Sequence, residues 1–239
     1  MKRLVLGCAG IGIFGVGLVL AGVPFGGDDT GFIPPDKTVG KCEGKVGKAV
    51  AKLVGAIVKC HALRVTGKLP GDVEEEACED TARTKFAGTK TTGCGACTNL
   101  TSLSSTVETA VDDNNGAVYC DSAGAAFSSE GDDSGFIPPD APKGPITKCE
   151  NGVGKAVSKL VAGIIKCHAT RASGKLADDA AEDACEDKLI TKFNATKTKG
   201  CSACTALPAL ASTVESILDA GNDLVYCQSP SGAFVDGMP

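Results

Sequence analysis

The chain has 239 residues, a formal net charge of −5, 13 cysteines and only 4% aromatic residues, with no tryptophan. The acidic balance gives no electrostatic case for nucleic-acid binding. A core without large aromatic side chains is marginal for a domain of about 90 residues, so the composition indicates that disulfides support the fold.

Residues 1–26 form an apolar segment with Lys2 and Arg3 at its start. This layout predicts a secretory signal peptide that is cleaved after Ala21. An uncleaved membrane anchor is the alternative, because the apolar run is nearly long enough to span a bilayer. In both cases the rest of the chain leaves the cytosol. We therefore expect a secreted, periplasmic or extracellular-surface protein whose cysteines meet an oxidising compartment.

The ten residues at 27–36, GDDTGFIPPD, return at 131–140 as GDDSGFIPPD. The first copy opens an acidic, proline-containing lead segment at 27–40, and the second lies in a linker at 128–147. Three interpretations stay open for this repeat. It docks on its own domain, it docks on a neighbouring domain or subunit, or Asp28, Asp29 and Asp36 with their copies bind Ca²⁺ between domains.

Both copies of this segment contain an apolar pair that a flexible spacer does not need. The two prolines after the pair stiffen the chain into an extended form, which presents the apolar side chains at low entropic cost. The predicted docking residues are Phe32, Ile33, Phe136 and Ile137.

Twelve cysteines after the N-terminal segment form two sets of six, and Cys149 follows Cys42 by 107 positions, as in every other pair. This spacing indicates a tandem duplication, and six cysteines per copy predict three disulfides in each. The two sets are Cys42, Cys60, Cys78, Cys94, Cys97 and Cys120, followed by Cys149, Cys167, Cys185, Cys201, Cys204 and Cys227.

Within each copy, apolar residues recur every three or four positions, which predicts helices. In the first helical domain, 41–127, we expect helices over 41–66 and 72–86 and a third from about Thr98. The second helical domain, 148–239, repeats the pattern.

The hairpin between the first two helices predicts one disulfide in each copy. Cys60 and Cys78 are equally distant from the centre of the turn at Leu69, so they face each other. The same argument pairs Cys167 with Cys185. The sequence leaves the order of pairing open for the other four cysteines of each copy.

Five lysines form a stripe along the first helix. This stripe lies next to the apolar face of the helix and not opposite it. Such a helix is typically central, with lysine stems covering apolar surface. A cationic membrane-active helix is the alternative interpretation. The stripe contains Lys41, Lys45, Lys48, Lys52 and Lys59.

Two motifs suggest chemistry. The CGAC at 94–97 and the CSAC at 201–204 precede a helix, as redox pairs do, but no βαβ pattern surrounds them, which favours structural disulfides. His61 and His168 each follow a cysteine, so a Cys3His zinc site is a further alternative. The simpler interpretation is a surface or half-buried histidine near the end of the hairpin.

The sequence therefore predicts an all-α protein of two tandem disulfide-stabilised three- to four-helix bundles. We expect a secreted or cell-envelope structural or binding protein that acts as a scaffold, adhesive or assembly element, without catalytic residues, metal ligands or a cofactor. Its expected partner is protein, either another copy or a neighbouring subunit, and a membrane only through an uncleaved N-terminal segment. The alternatives are an extracytoplasmic thiol-disulfide oxidoreductase and a membrane-surface-active protein.

Overall fold

The computed structural model describes residues 24–94, 98–129, 131–201 and 206–228, and this part of the chain is all-α. The predicted N-terminal signal or anchor up to residue 23, together with Cys97 and Cys204, lies outside the described residues. The helices are α1 (Lys37–Val65), α2 (Asp72–Ala87), α3 (Leu100–Asp113), α4 (Pro145–Ala172), α5 (Asp179–Asn194) and α6 (Leu207–Ala220). Short 3-10 turns follow α3 at Asn115–Ala117 and α6 at Asn222–Leu224, and β1 (Ala125–Ala126) pairs antiparallel with β2 (Phe136–Ile137).

The last residue of each repeated segment accepts hydrogen bonds from the first turn of the helix that follows it. Asp36 accepts hydrogen bonds from the backbone N–H groups of Thr38 and Val39, and Asp140 accepts them from Ile146 and Thr147. Because a carboxylate satisfies the unpaired donors of a first helical turn, α1 begins at residue 37, four positions before the apolar pattern starts.

Four disulfides join described cysteines. The hairpin bonds Cys60–Cys78 and Cys167–Cys185 are both present, with Cα–Cα distances of 5.9 and 6.0 Å. Two further bonds tie the start of the first helix of each copy to the loop before its third helix: Cys42–Cys94 and Cys149–Cys201. Cys120 and Cys227 are disulfide-bonded as well.

The two copies share one hydrophobic core, which is centred on the packing of α1 against α4. Ile57 of α1 and Ile164 of α4 are fully buried in it. Small residues allow the helices to approach closely, because a Cβ at Gly47 would lie only 3.2 Å from Ile165. The tandem duplication therefore forms a single packed body.

The end of each copy docks on the first helix of the other copy. Tyr119 donates a hydrogen bond to Asn151 Oδ1 at 2.6 Å, and the Cys120 N–H donates to Glu150 Oε1 at 3.4 Å. In the reverse direction, Glu43 Oε1 accepts from the Gln228 N–H at 3.3 Å. Glu43 and Glu150 are both fully buried, and burial raises the pKa of each to about 7.

These two carboxyls make the stability of the protein depend on pH. A carboxyl with a raised pKa in the folded state binds more protons when folded, so unfolding becomes easier as the pH rises from about 4.5 to about 7. Replacing both residues (Glu43→Gln, Glu150→Gln) should reduce this loss, by up to about 3 kcal/mol per carboxyl. Urea unfolding at several pH values measures it, with exposed Glu74→Gln as control. Identical pH profiles for the double variant and the parent would contradict the assignment.

Candidate metal centres

In the first copy, four carboxylates surround one imidazole nitrogen. His61 Nε2 lies 3.0 Å from Glu79 Oε1, 3.1 Å from Asp133 Oδ1, 3.4 Å from Glu75 Oε1 and 3.5 Å from Asp112 Oδ1. All five residues are buried, and each is at most 9% exposed. We call this group the first centre.

The hairpin disulfide holds three of these side chains in place. His61 follows Cys60 on α1, while Glu75 and Glu79 lie one turn apart on α2, on either side of Cys78. Residues four apart share one face of a helix, so both glutamates point toward α1. The Cys60–Cys78 bond therefore brings the histidine and the two glutamates together. The remaining carboxylates come from the end of α3 and from the repeated segment.

The second copy contains an equivalent group, which we call the second centre. His168 Nε2 lies 3.0 Å from Glu186 Oε1, 3.2 Å from Asp29 Oδ1 and 3.5 Å from Asp219 Oδ1. A carboxylate oxygen of Glu182 also lies within 4.8 Å of the His168 and Glu186 ligand atoms. All five residues are buried.

The repeated segments are exchanged between the two centres. We name residues 27–36 the first clasp and residues 131–140 the second clasp. The second clasp docks on the copy that precedes it and supplies Asp133 to the first centre. The first clasp crosses to the second copy and supplies Asp29 to the second centre. Each clasp therefore precedes one copy and docks on the other, as the second of the three interpretations of the sequence expected.

Backbone and hydroxyl contacts hold each clasp in place. Thr30 donates through both its N–H and its hydroxyl to the Asp219 carbonyl, each at 3.0 Å. Ser134, the single position at which the clasps differ, makes the same two bonds to the Asp112 carbonyl at 3.0 Å. Threonine and serine are interchangeable here because the hydroxyl makes the contact.

The predicted docking residues make part of this contact. Phe32 and Phe136 donate their N–H groups to the Tyr226 and Tyr119 carbonyls at 2.8 Å, while their side chains are only partly buried. Ile33 and Ile137 pack against the core, also partly buried. The most deeply buried anchors are two phenylalanines that precede the clasps.

Phe25 and Phe127 are 0% and 1% exposed, and the sequence analysis missed both. The Phe25 ring lies 6.0 Å from the His168 ring and 5.0 Å from the Tyr226 ring, whereas Phe127 lies 5.4 Å from His61. Phe25 falls inside the segment 1–26 assigned to the signal or anchor, which hid its role. A phenylalanine shortly before GDD in both copies was the available signal.

The simpler interpretation of the sequence, a surface or half-buried histidine, is wrong. His61 is 1% exposed and His168 is 2% exposed. The Cys3His zinc alternative is also wrong for the described cysteines, because those next to the histidines are in disulfides. The calcium interpretation named Asp29, but Asp36 caps α1 and Asp28 is exposed. The sequence analysis did not expect the grouping of each histidine with glutamates.

Burial and mutual repulsion oppose ionisation of these carboxyls. Burial raises the pKa of Asp29 and of Glu79 to about 7, of Glu182 to about 8 and of Glu75 to about 10. Burial alone would lower the pKa of an imidazole, but the surrounding carboxylates raise it in both centres, to about 10 for His168. Without a cation, protons must therefore collect in each centre.

Protons do not satisfy the geometry of the centres. The Nε2 atom of each histidine carries at most one hydrogen, yet it faces three or four carboxylate oxygens, and none of these contacts has the direction of a hydrogen bond. Both carboxylate oxygens of Glu75, Glu79 and Asp133 are buried without a hydrogen-bond partner. Within the described part of the chain, no lysine or arginine forms an ion pair with the first centre.

Comparisons of the chain with protein-family models, with curated proteins and with solved structures found no match. Among the helices of the described residues, none combines the length and the apolar character needed to cross a bilayer.

Phe25 should anchor the first clasp more strongly than Phe32 does. Phe25→Ala removes a fully buried ring, which typically costs about 3–5 kcal/mol, whereas Phe32 is partly exposed and its truncation should cost about 1 kcal/mol. Hydrogen exchange of the Thr30 amide reports opening of the clasp, because this amide bonds to the Asp219 carbonyl. Phe127→Ala, in the other copy, is the control. Equal acceleration of Thr30 exchange by all three changes would contradict this anchoring role.

Proposed function

We propose that this is an extracytoplasmic metal-binding protein that holds one first-row transition metal ion in each of its two centres. The observation that carries the proposal is the set of buried carboxylate oxygens 3.0–3.5 Å from a single buried imidazole nitrogen, without hydrogen-bond partners. Buried charged groups are normally paired or bound to a metal, and this arrangement offers a cation several ligand atoms.

The spacing of the ligand atoms supports a metal ion. Bonds of about 2.1 Å to a transition metal place neighbouring ligand atoms about 3.0 Å apart when they meet at right angles. The observed nitrogen–oxygen distances of 3.0–3.5 Å are close to this value. The ligand atoms of His61, Glu75 and Glu79 lie within 4.8 Å of one another, and so do those of His61, Asp112 and Asp133. An ion bound there replaces the protons that the geometry does not accommodate.

The ligand types favour a transition metal over Ca²⁺. Calcium sites are built from oxygen, whereas imidazole is a common ligand of zinc, iron and nickel, and carboxylates also suit manganese. Four carboxylates and a dication leave two excess negative charges. The cation itself lowers the pKa of the carboxyls that contact it, which favours their ionised, ligating form.

A structural role for the ions supports the scaffold function expected from the sequence. Each centre joins a disulfide-tied hairpin, the end of a third helix and a clasp, and every ligand atom that we assign comes from the protein. A buried centre of this kind stabilises the fold and offers no open position to a substrate. The protein is then a secreted or cell-envelope binding or scaffold element whose clasps are fastened by metal.

The other functions expected from the sequence have less support. The disulfides Cys42–Cys94 and Cys149–Cys201 involve the first cysteine of each CxxC motif, which favours structural use over redox catalysis. The membrane-active interpretation of the first helix has less support because α1 packs centrally against α2, α3 and α4. Both arrangements favour a binding protein over these alternatives.

Metal titration tests the proposal directly. Protein stripped with a chelator should bind two equivalents of Mn²⁺ or Zn²⁺, and His61→Ala or His168→Ala should each bind one. Equilibrium dialysis with metal analysis measures the stoichiometry, and circular dichroism verifies the fold. A folded parent chain that retains neither metal would contradict the proposal, and preferential retention of Ca²⁺ would overturn the assigned metal class.

The first clasp offers a matched pair of variants. Asp29→Asn removes a carboxylate of the second centre and should lower the stoichiometry from two ions to one, or weaken one site at least tenfold. Asp28→Asn removes the same charge from the exposed neighbouring residue and should leave both sites intact. If the two variants bind equally, the clasp does not supply a ligand.

A further inference from the structure

The first copy contains a groove between α1 and α2 that does not take part in either metal centre. Its rim consists of Lys45, Lys48 and Lys52 from α1 and Lys85 from α2, and it encloses about 440 Å³. This volume lies within the range of small-molecule pockets. Its floor is apolar and includes Ala49, Leu53, Ala56, Ala82 and Phe86.

The four lysines have no ion-pair partner in the part of the chain that the structure describes. Three acidic side chains of α2 are engaged elsewhere: Glu75 and Glu79 point into the first centre, and Asp80 pairs with Arg83. Four unpaired cations around an apolar floor form a local exception in a chain with a net charge of −5.

In the second copy a leucine fills part of the equivalent groove. Leu189 stands at the position of Ala82, and Gly163 stands at the position of Ala56. The Leu189 side chain lies so close to Gly163 that a Cβ there would be 2.7 Å from Leu189 Cδ1. The second copy also has Gly152 in place of Lys45. The duplicated domains therefore differ in the filling of this groove and in one of its cations.

We propose that the groove of the first copy binds a free single-chain anionic amphiphile, such as a fatty acid. The lysines hold the acidic headgroup, and the apolar floor between the helices accepts the chain, which desolvates both parts of one ligand. A concave recess fits a single ligand better than a membrane surface, which requires exposed apolar side chains. Among the described residues, the exposed large apolar side chains are Val73 and Ile217, and neither lines the groove.

The experiment uses dodecanoate, below its micelle concentration, as the probe for calorimetric titration of the full chain. The parent protein should bind one equivalent. The double variant Ala56→Gly, Ala82→Leu copies the glycine and leucine that pack together in the second copy, and it should bind at least tenfold more weakly. A second variant, Lys45→Gly with Lys52→Ala, should also weaken binding at least tenfold while the groove stays open.

The reverse change provides a test by gain of binding. Gly163→Ala with Leu189→Ala and Gly152→Lys should open the second groove and raise the stoichiometry to two. Circular dichroism and the urea unfolding midpoint show that each variant keeps its fold, so the test does not depend on the metal centres. It is overturned if the filled variant binds dodecanoate as tightly as the parent, if dodecyltrimethylammonium binds equally well, or if only anionic phospholipid vesicles bind.

Discussion

The concentration of acidic side chains around two buried imidazoles is the constraint on which the rest of the structure depends. Removing a carboxylate from water costs several kcal/mol unless an opposite charge or hydrogen bonds compensate it. Each centre brings four carboxyls into the interior, and the neighbouring residues provide few donors for them. The fold is therefore organised around two acidic centres whose buried charge needs compensation, which the proposed cations provide. The helices, the disulfides and the clasps all contribute to holding these sites together.

The exchange of clasps makes each copy incomplete by itself. The first centre takes Asp133 from the linker that follows its own helices, whereas the second centre takes Asp29 from a segment that precedes the other copy. The glutamates Glu43 and Glu150 are reciprocal in the same way, because each binds the backbone at the end of the other copy. A repeat of this kind closes on itself: the last copy is completed by the first clasp. This closure explains why the same ten residues are needed before each copy.

Covalent and ionic links compensate for a core of small side chains. Closing a loop of the size of the hairpin contributes about 3 kcal/mol by restricting the unfolded chain. The disulfides of the described residues do so at the hairpins and at the starts of α1 and α4. The proposed ions act where disulfides do not, between helices and clasps.

The duplicated copies have diverged on the outside, where the groove beside Ala82 is open and its counterpart beside Leu189 is filled.

The sequence by itself determined the features that depend on local periodicity. The apolar spacing predicted the all-α class, the hairpin symmetry predicted Cys60–Cys78, and the cysteine count indicated an oxidising, extracytoplasmic environment. Only the tertiary structure decided that the copies share one core, that the first clasp crosses to the second copy, and that His61 meets Glu75, Glu79, Asp112 and Asp133. These residues are up to 72 positions apart, from His61 to Asp133, and each has an ordinary local explanation as a helix-start acid or a turn residue. Long-range packing, which a single sequence does not encode as a pattern, brings them together.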